Sequence, residues 1–262
     1  GGCIMETSDF ISAPIREVFC SVQGEGPYVG TRQAFVRFSG CNLNCNYCDT
    51  DFSNPGTCNY EQVEGSGIFE KIKNPVSIGQ LESMLQPFKK LHSISLTGGE
   101  PLLHADFIEK LNLDSPLYLE SNMTLPEQAR KLTEKVAYVS GDFKLPESLR
   151  GMGSESRETH IENTVECFRL LRKNQSRDCF CKIVVDSNTE LETVSPAVEA
   201  IAPYVSCVIL QPETPIGRDV TNPRPSQSIQ ASVQNIMELQ KSLLEIIDTR
   251  VIPQTHRMWG CL

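Results

Sequence analysis

Cys41, Cys45 and Cys48 stand at a CxxxCxxC spacing within the polar run Cys41-Asn42-Leu43-Asn44-Cys45-Asn46-Tyr47-Cys48. Soft thiolates in such a group select zinc or an iron–sulfur centre. A closed structural zinc site takes four ligands, and no second CxxC or paired histidines follow at a zinc-finger distance. A cubane cluster usually takes four cysteines as well, so with three thiolates one iron keeps an open position for a substrate or cofactor. The competing reading is a zinc site completed from afar by Cys58 or Cys20, or three cysteines buried in a core. Asn42, Asn44 and Asn46 favour a loop over a core strand, and Gly40 suits a tight turn of backbone around a cluster.

Elements that would position this loop can be read from the hydrophobic pattern. Short β-rich runs at 15–21, 34–38, 93–97, 117–121, 137–140, 180–186 and 207–210 alternate with amphipathic stretches at 78–88, 105–111, 126–134, 158–173, 190–201 and 227–247. Pro126 suits a first helical turn, and Pro196 is expected to kink or split its helix. Strict alternation of strand and helix predicts βαβ units, parallel strands and right-handed crossovers. Functional groups then gather at the carboxyl ends of the strands, where the sequence turns polar or glycine-rich: Thr97-Gly98-Gly99-Glu100, Glu120-Ser121-Asn122, Ser140-Gly141-Asp142 and Gln211-Pro212-Glu213. Residues 1–14 read as a tail, 15–262 as one domain, and 54–75 as a loop or small insertion.

Composition narrows the setting. With 262 residues, 39% hydrophobic and 22% charged, the chain suits a soluble globule with a sizeable core. Its net charge of −9 and lack of a Lys/Arg cluster argue against a nucleic-acid partner. No apolar run has the length of a membrane span, and residues 1–10 lack the basic flank and apolar stretch of a signal peptide. Eleven cysteines, odd in number and irregularly spaced, point to metal ligation in a reducing cytoplasm rather than a disulfide framework.

The cysteine spacing after the apolar run 34–38, together with Thr97-Gly98-Gly99-Glu100-Pro101, resembles the radical S-adenosylmethionine (SAM) superfamily. That resemblance implies an incomplete TIM-type β/α barrel and a 4Fe–4S cluster on Cys41, Cys45 and Cys48. SAM would bind the fourth iron and be cleaved to a 5′-deoxyadenosyl radical. The flanking residues narrow it further. Gln23-Gly24-Glu25-Gly26, the Cys48-Asp49-Thr50 extension, Ser140-Gly141-Asp142-Phe143-Lys144, Leu210-Gln211-Pro212-Glu213 and Pro253-Gln254-Thr255-His256 resemble the 7-carboxy-7-deazaguanine synthase family.

This second resemblance implies ring contraction of 6-carboxy-5,6,7,8-tetrahydropterin to 7-carboxy-7-deazaguanine with release of ammonia. It also implies a Mg²⁺ ion on Thr50, a homodimer, and an electron donor such as flavodoxin or ferredoxin. Substrate contacts fall on Val22, Gln23, Gly24, Arg37, Thr97 and His256; SAM contacts fall on Gly99, Glu100, Ser140, Asp142, Lys144 and Gln211. Gln23 and Gly24 would offer an amide and bare backbone to the pterin edge, unless the segment is only a turn with Glu25 solvated. Arg37 would fork onto the substrate carboxylate, or else snorkel at the surface. Glu100 would bond the SAM amino group, or else sit as a carboxylate at a helix N-terminus. His256 reaches the substrate or is structural. Two departures stand out: Tyr47 lies between the last two cysteines where relatives often carry Trp, and Ser140-Gly141-Asp142 replaces a common Ser-Pro-Lys run. A glycyl-radical-enzyme activase and a zinc-binding scaffold are the alternative functions.

Overall fold

The seven runs read as strands and the six read as helices all form, with ends shifted by a few residues. The computed structural model describes residues 11–45, 55–151, 153–213 and 227–259. Cys48 and Thr50, with Tyr47 and Asp49, lie outside the described residues. The strands are β1 (Ser12–Ala13), β2 (Ile15–Val22), β3 (Arg32–Phe38), β4 (Thr57–Tyr60), β5 (Glu70–Lys73), β6 (Val76–Ser77), β7 (Ser93–Gly98), β8 (Leu117–Ser121), β9 (Tyr138–Asp142), β10 (Asp178–Val185), β11 (Val208–Pro212) and β12 (Thr249–Val251). The helices are α1 (Ile78–Leu85), α2 (Ala105–Lys110), α3 (Pro126–Lys131), α4 (Ser154–Leu170), α5 (Leu191–Ile201), α6 (Gln227–Leu243) and α7 (His256–Trp259).

Among the described residues one sheet runs in the order β12-β11-β10-β9-β8-β7-β3-β2-β4-β5, and its two ends are not paired with each other. This is the open, incomplete barrel that the resemblance implied. From β3 to β12 each strand is parallel to its neighbour. The expectation of parallel strands throughout is corrected at one flank, where β2 runs antiparallel to β3 and β5 antiparallel to β4. The connection 23–31 is shorter than the roughly dozen residues a parallel crossover needs, so it folds as a hairpin.

Alternation along the strands divides the core. Outward residues such as Val36, Leu96, Leu119, Val139 and Ile183 bury the apolar faces of the helices in the main core. α1 shows the local logic: Ser77 and Gln80 close a capping box, and Ile78, Leu81, Met84 and Leu85 are buried. α5 runs through Pro196 without a break, against expectation, because Val194, Ala197, Val198 and Ile201 hold it on the sheet. Inward residues near the amino ends form a second, aromatic cluster of Tyr118, Phe180, Cys207 and Ile209, with Tyr28 and Tyr138 packed against it.

Two segments carry more structure than the sequence indicated. Within the expected tail, β1 pairs with β6. Within the expected insertion, β4 and β5 form a hairpin on the edge of β2. The carboxylate of Glu61 fixes its turn by accepting from Gly65 N (3.2 Å) and Gly67 N (2.7 Å).

The sheet–helix contact is tightest where Phe168 of α4 lies against Gly141; even a methyl group there would come within 2.5 Å of the ring. Phe168 is fully buried. Phe168→Ala should therefore lower stability by about 3–5 kcal/mol, read from the midpoint of urea unfolding.

Candidate active site

Both halves of the site lie on the concave side of this sheet. At the carboxyl ends, Gly98 and Gly99 follow β7 and press against the chain that leads into the cysteine loop. Gly98 has φ +116°, and a Cβ on it would overlap the Phe38 backbone; one on Gly99 would overlap the Gly40 carbonyl. Only glycine allows this approach. Hydrogen bonds then clamp the two strand ends, Gly99 N to Phe38 O (3.1 Å) and Glu100 N to Gly40 O (2.8 Å). Directly beyond, Cys41 and Cys45 are partly exposed on their loop. That loop is braced from the far side by a bridge between Cys45 and Leu149 and by Arg150 N to Asn44 O (3.0 Å).

Glu100 is fully buried. Its carboxylate accepts from Leu102 N (2.9 Å), Ser121 Oγ (2.8 Å) and Asn122 N (2.7 Å). Burial pushes its pKa up to about 7 against the pull of those hydrogen bonds. Of the two roles expected for Glu100, the geometry supports the carboxylate at a helix N-terminus: it caps the short helix Pro101–His104 and ties it to the end of β8.

Lower on the concave face, a row of alternating charge crosses the sheet, buried at Lys182 and partly exposed at Glu25, Asp142 and Lys144. Lys182 Nζ lies 2.5 Å from Glu25 and 3.4 Å from Asp142, and Lys144 lies 2.7 Å from Asp142. Burial alone would raise the Glu25 carboxyl, but the Lys182 ammonium and hydrogen bonds from Lys182 and Gln254 hold it well below the usual carboxylate range. Burial would lower Lys182, but Asp142 and Glu25 keep it well above the usual lysine value. Glu25 is thus an ion-paired floor residue, not a solvated turn carboxylate. The expected SAM contacts Asp142 and Lys144 pair with each other, and Ser140, nearly buried, bonds the Tyr118 hydroxyl.

The hairpin connection 23–31 closes the amino end beneath this row. Gln23 donates from Nε2 to Gln33 Oε1 (2.9 Å) and Glu120 Oε1 (3.1 Å), and its Oε1 accepts from Glu25 N (3.0 Å). Both amide hydrogens are therefore used inside the protein, so Gln23 sets Glu120 in place, and its Oε1 keeps a second lone pair beyond the Glu25 N–H. Gly24 is bare because His256 packs on it, and its carbonyl takes Thr255 N (2.9 Å) and Thr255 Oγ1 (3.1 Å). The structure so brings His256 and the 22–24 segment together. Arg37 sits beside Thr97 in the β3–β7 register and donates from Nε to Glu17 (2.6 Å). Gln211, on the inner face of β11, has a buried Oε1 with no hydrogen-bond partner.

Lys182 and Glu17 were not anticipated as site residues, and Glu120, Asn122 and Gln254 were flagged only within their runs, without a role. Lys182 had one signal, a single charge in the apolar stretch Cys179–Val185, since an unpaired lysine is almost never fully buried. The zinc reading loses its remote ligands: Cys20 and Cys58 lie in the main core, where burial pushes their thiols up to about 11 and about 12. Cys167, Cys179 and Cys181 are core residues too.

A partial β/α barrel with a cysteine loop and a glycine–glycine–glutamate turn at its carboxyl mouth defines the radical SAM class, and the pattern of the radical SAM superfamily matches residues 35–199. Two curated relatives are named 7-carboxy-7-deazaguanine synthase. The one from Archaeoglobus fulgidus is 41% identical over 95% of this chain and 98% of its own length. The one from Geobacter sulfurreducens is 36% identical, again over 95% of this chain and 98% of its own. A crystal structure of QueE from Escherichia coli shares the fold, with TM-score 0.51 and 17% identity over 95% of this chain and 96% of that one. The chain belongs to the 7-carboxy-7-deazaguanine synthase family of radical SAM enzymes. Membership carries with it a 4Fe–4S cluster and SAM, and the residues fit them: partly exposed cysteines on a glycine-clamped loop, and an unpartnered, buried Gln211 oxygen on the same concave face.

Removing Lys182 leaves Glu25 charged without its cation, while Asp142 keeps Lys144, so Lys182→Met should cost about 3–5 kcal/mol at neutral pH. Because the folded Glu25 pKa is depressed, its stabilisation is present above the ordinary value of 4.5 and is lost as pH falls below it. Thermal unfolding from pH 7 to pH 3 should show this acid loss in the wild type and its absence in Lys182→Met.

Proposed function

We propose that this protein converts 6-carboxy-5,6,7,8-tetrahydropterin to 7-carboxy-7-deazaguanine with loss of ammonia, for deazapurine nucleoside synthesis. The likeness over nearly the whole of both chains to the Archaeoglobus fulgidus synthase carries this reading. Cys41, Cys45 and Cys48 would hold the cluster, and Gly99, Ser140, Asp142, Lys144 and Gln211 would meet SAM. When bound, the two together supply a 5′-deoxyadenosyl radical able to take a hydrogen atom from the substrate.

The chain's own groups bind and orient the pterin. Glu17 takes only the Nε–H of Arg37, which leaves the terminal amino groups of the guanidinium for the substrate carboxylate. Ser95 (2.6 Å) and Gln23 both donate to Glu120 Oε1, so Oε2 is left to accept from an N–H on the pterin edge. Thr97, Val22, Gly24 and His256 complete the walls. The aromatic cluster and the 23–31 hairpin keep water out from the amino end.

Thr50 with Mg²⁺, a homodimer, reduction by flavodoxin or ferredoxin, and a cytoplasmic setting belong to the same proposal. Among the described residues, no helix is long and apolar enough to cross a membrane. A glycyl-radical-enzyme activase acts on a protein, and the near-full-length likeness to 7-carboxy-7-deazaguanine synthases favours a small-molecule substrate instead.

The test is one anaerobic reaction of the reconstituted protein with SAM, Mg²⁺ and the carboxypterin. Deazaguanine product and ammonia are expected; SAM cleavage without either product would reject the proposal. Cys45→Ala should lose cluster colour and SAM cleavage together. Arg37→Ala should keep full iron content but raise KM about tenfold to a hundredfold, the loss of about 1.5–3 kcal/mol from one charge-assisted contact.

A further inference from the structure

Beyond the residues that hold the cluster, one side chain is aimed at a cluster ligand. Asn122 follows β8 and is nearly buried. Its Nδ2 lies 3.8 Å from Cys41 Sγ and 2.9 Å from Asn42 Oδ1, so each amide hydrogen has an acceptor. An amide can be turned over, which would present oxygen to the sulfur instead. Here it is locked. Asn122 Oδ1 accepts from Thr124 N (3.2 Å) and from Thr124 Oγ1 (2.7 Å), and a backbone N–H can only donate. The same Thr124 hydroxyl accepts from Asn42 Nδ2 (2.8 Å), which closes a ring of hydrogen bonds around the start of the cysteine loop.

The backbone is set for the same purpose. Asn122 N donates to Glu100 Oε2 (2.7 Å), so the carboxylate that follows the paired glycines also fixes where the amide points. Met123, next in the chain, is fully buried with φ +57°, a left-handed conformation that methionine rarely adopts. Strain of this kind persists where surrounding contacts over-determine it.

We infer that Asn122 is a positioning residue that tunes the cluster, donating an N–H···S hydrogen bond to the Cys41 thiolate and thereby raising the cluster's reduction potential. A hydrogen-bond donor places partial positive charge beside the sulfur, and the reduced cluster, carrying one more electron, gains most from it. Such contacts are among the levers that set iron–sulfur potentials. The inference rests on the cluster assignment in the preceding subsection.

The test is an anaerobic redox titration of the reconstituted holoenzyme, followed by electron paramagnetic resonance of the reduced cluster. Two uncharged variants are compared with the wild type: Asn122→Ala, which removes the amide, and Asn122→Leu, which removes it and keeps most of its volume. Both should retain wild-type iron and sulfide. At a fixed applied potential, the ratio of reduced to oxidised cluster should fall about tenfold, a midpoint about 59 mV more negative for one electron. Thr124→Val, which removes the hydroxyl's bonds to Asn122 and Asn42 and so loosens the amide while keeping the backbone N–H that orients it, should shift the midpoint in the same direction by less. Full iron with an unshifted midpoint in both Asn122 variants overturns the inference. So does loss of the cluster from both, because that marks a purely structural role. Wild-type protein without iron or sulfide would instead remove the cluster assignment itself, so the two failures are distinct.

Discussion

Between Gly99 and the Gly40 carbonyl there is no room for a methyl group, and the rest of the site depends on that closeness. It lets the backbone after β7 bond directly to the backbone after β3, so the chain leaves β3 at a fixed point with a fixed direction. The cysteine loop inherits its position from this clamp. Glu100, carried immediately after the glycines, extends the same fixed geometry to the end of β8 and from there to the sulfur of Cys41. A loop that must hold a metal group with few ligands gains its precision from the strands behind it, and here the strands are locked by a steric fact that permits one residue type.

The lower half of the concave face is organised by charge. Glu25, Lys182, Asp142 and Lys144 alternate in sign across three elements, so none of them is buried alone. Such a row is costly to desolvate, and an apolar floor in its place would be more stable but would leave nothing to orient a polar guest. Gln23 belongs to this layer by way of Glu120, and Gln254 by way of Glu25. The site thus has a mouth clamped by close backbone packing and an electrostatically assembled floor.

Much of this was legible in the sequence. Strands β3 and β7–β11 announce themselves because each is an apolar run with turn residues at its end, and the polar residues at those ends do line the concave face. The cysteine spacing and the paired glycines mark the mouth because their chemistry is local. What was not legible depends on partners distant in sequence. Lys182 looked like a stray charge because Glu25 lies 157 positions away. Gln23 looked like a free ligand group because Gln33, Glu120 and the Glu25 amide all had to be in place before its hydrogen bonds could be counted. The β4–β5 hairpin escaped notice because β5, Glu-Lys-Ile-Lys, is a charged edge strand with little apolar alternation, and β12 because three residues carry no period.

The contact of Gly24 and Glu25 with the segment 254–256 has a kinetic side. Glu25 and Gln254 are 229 positions apart, and Gly24 and Thr255 are 231 apart. Contacts of such separation close late, since a long loop must be ordered before they are rewarded. During synthesis the hairpin emerges early and waits, without its partners, until the ribosome has released residue 256. The contact that seals this side of the floor is therefore late to form, because its two halves are made 229 to 231 residues apart.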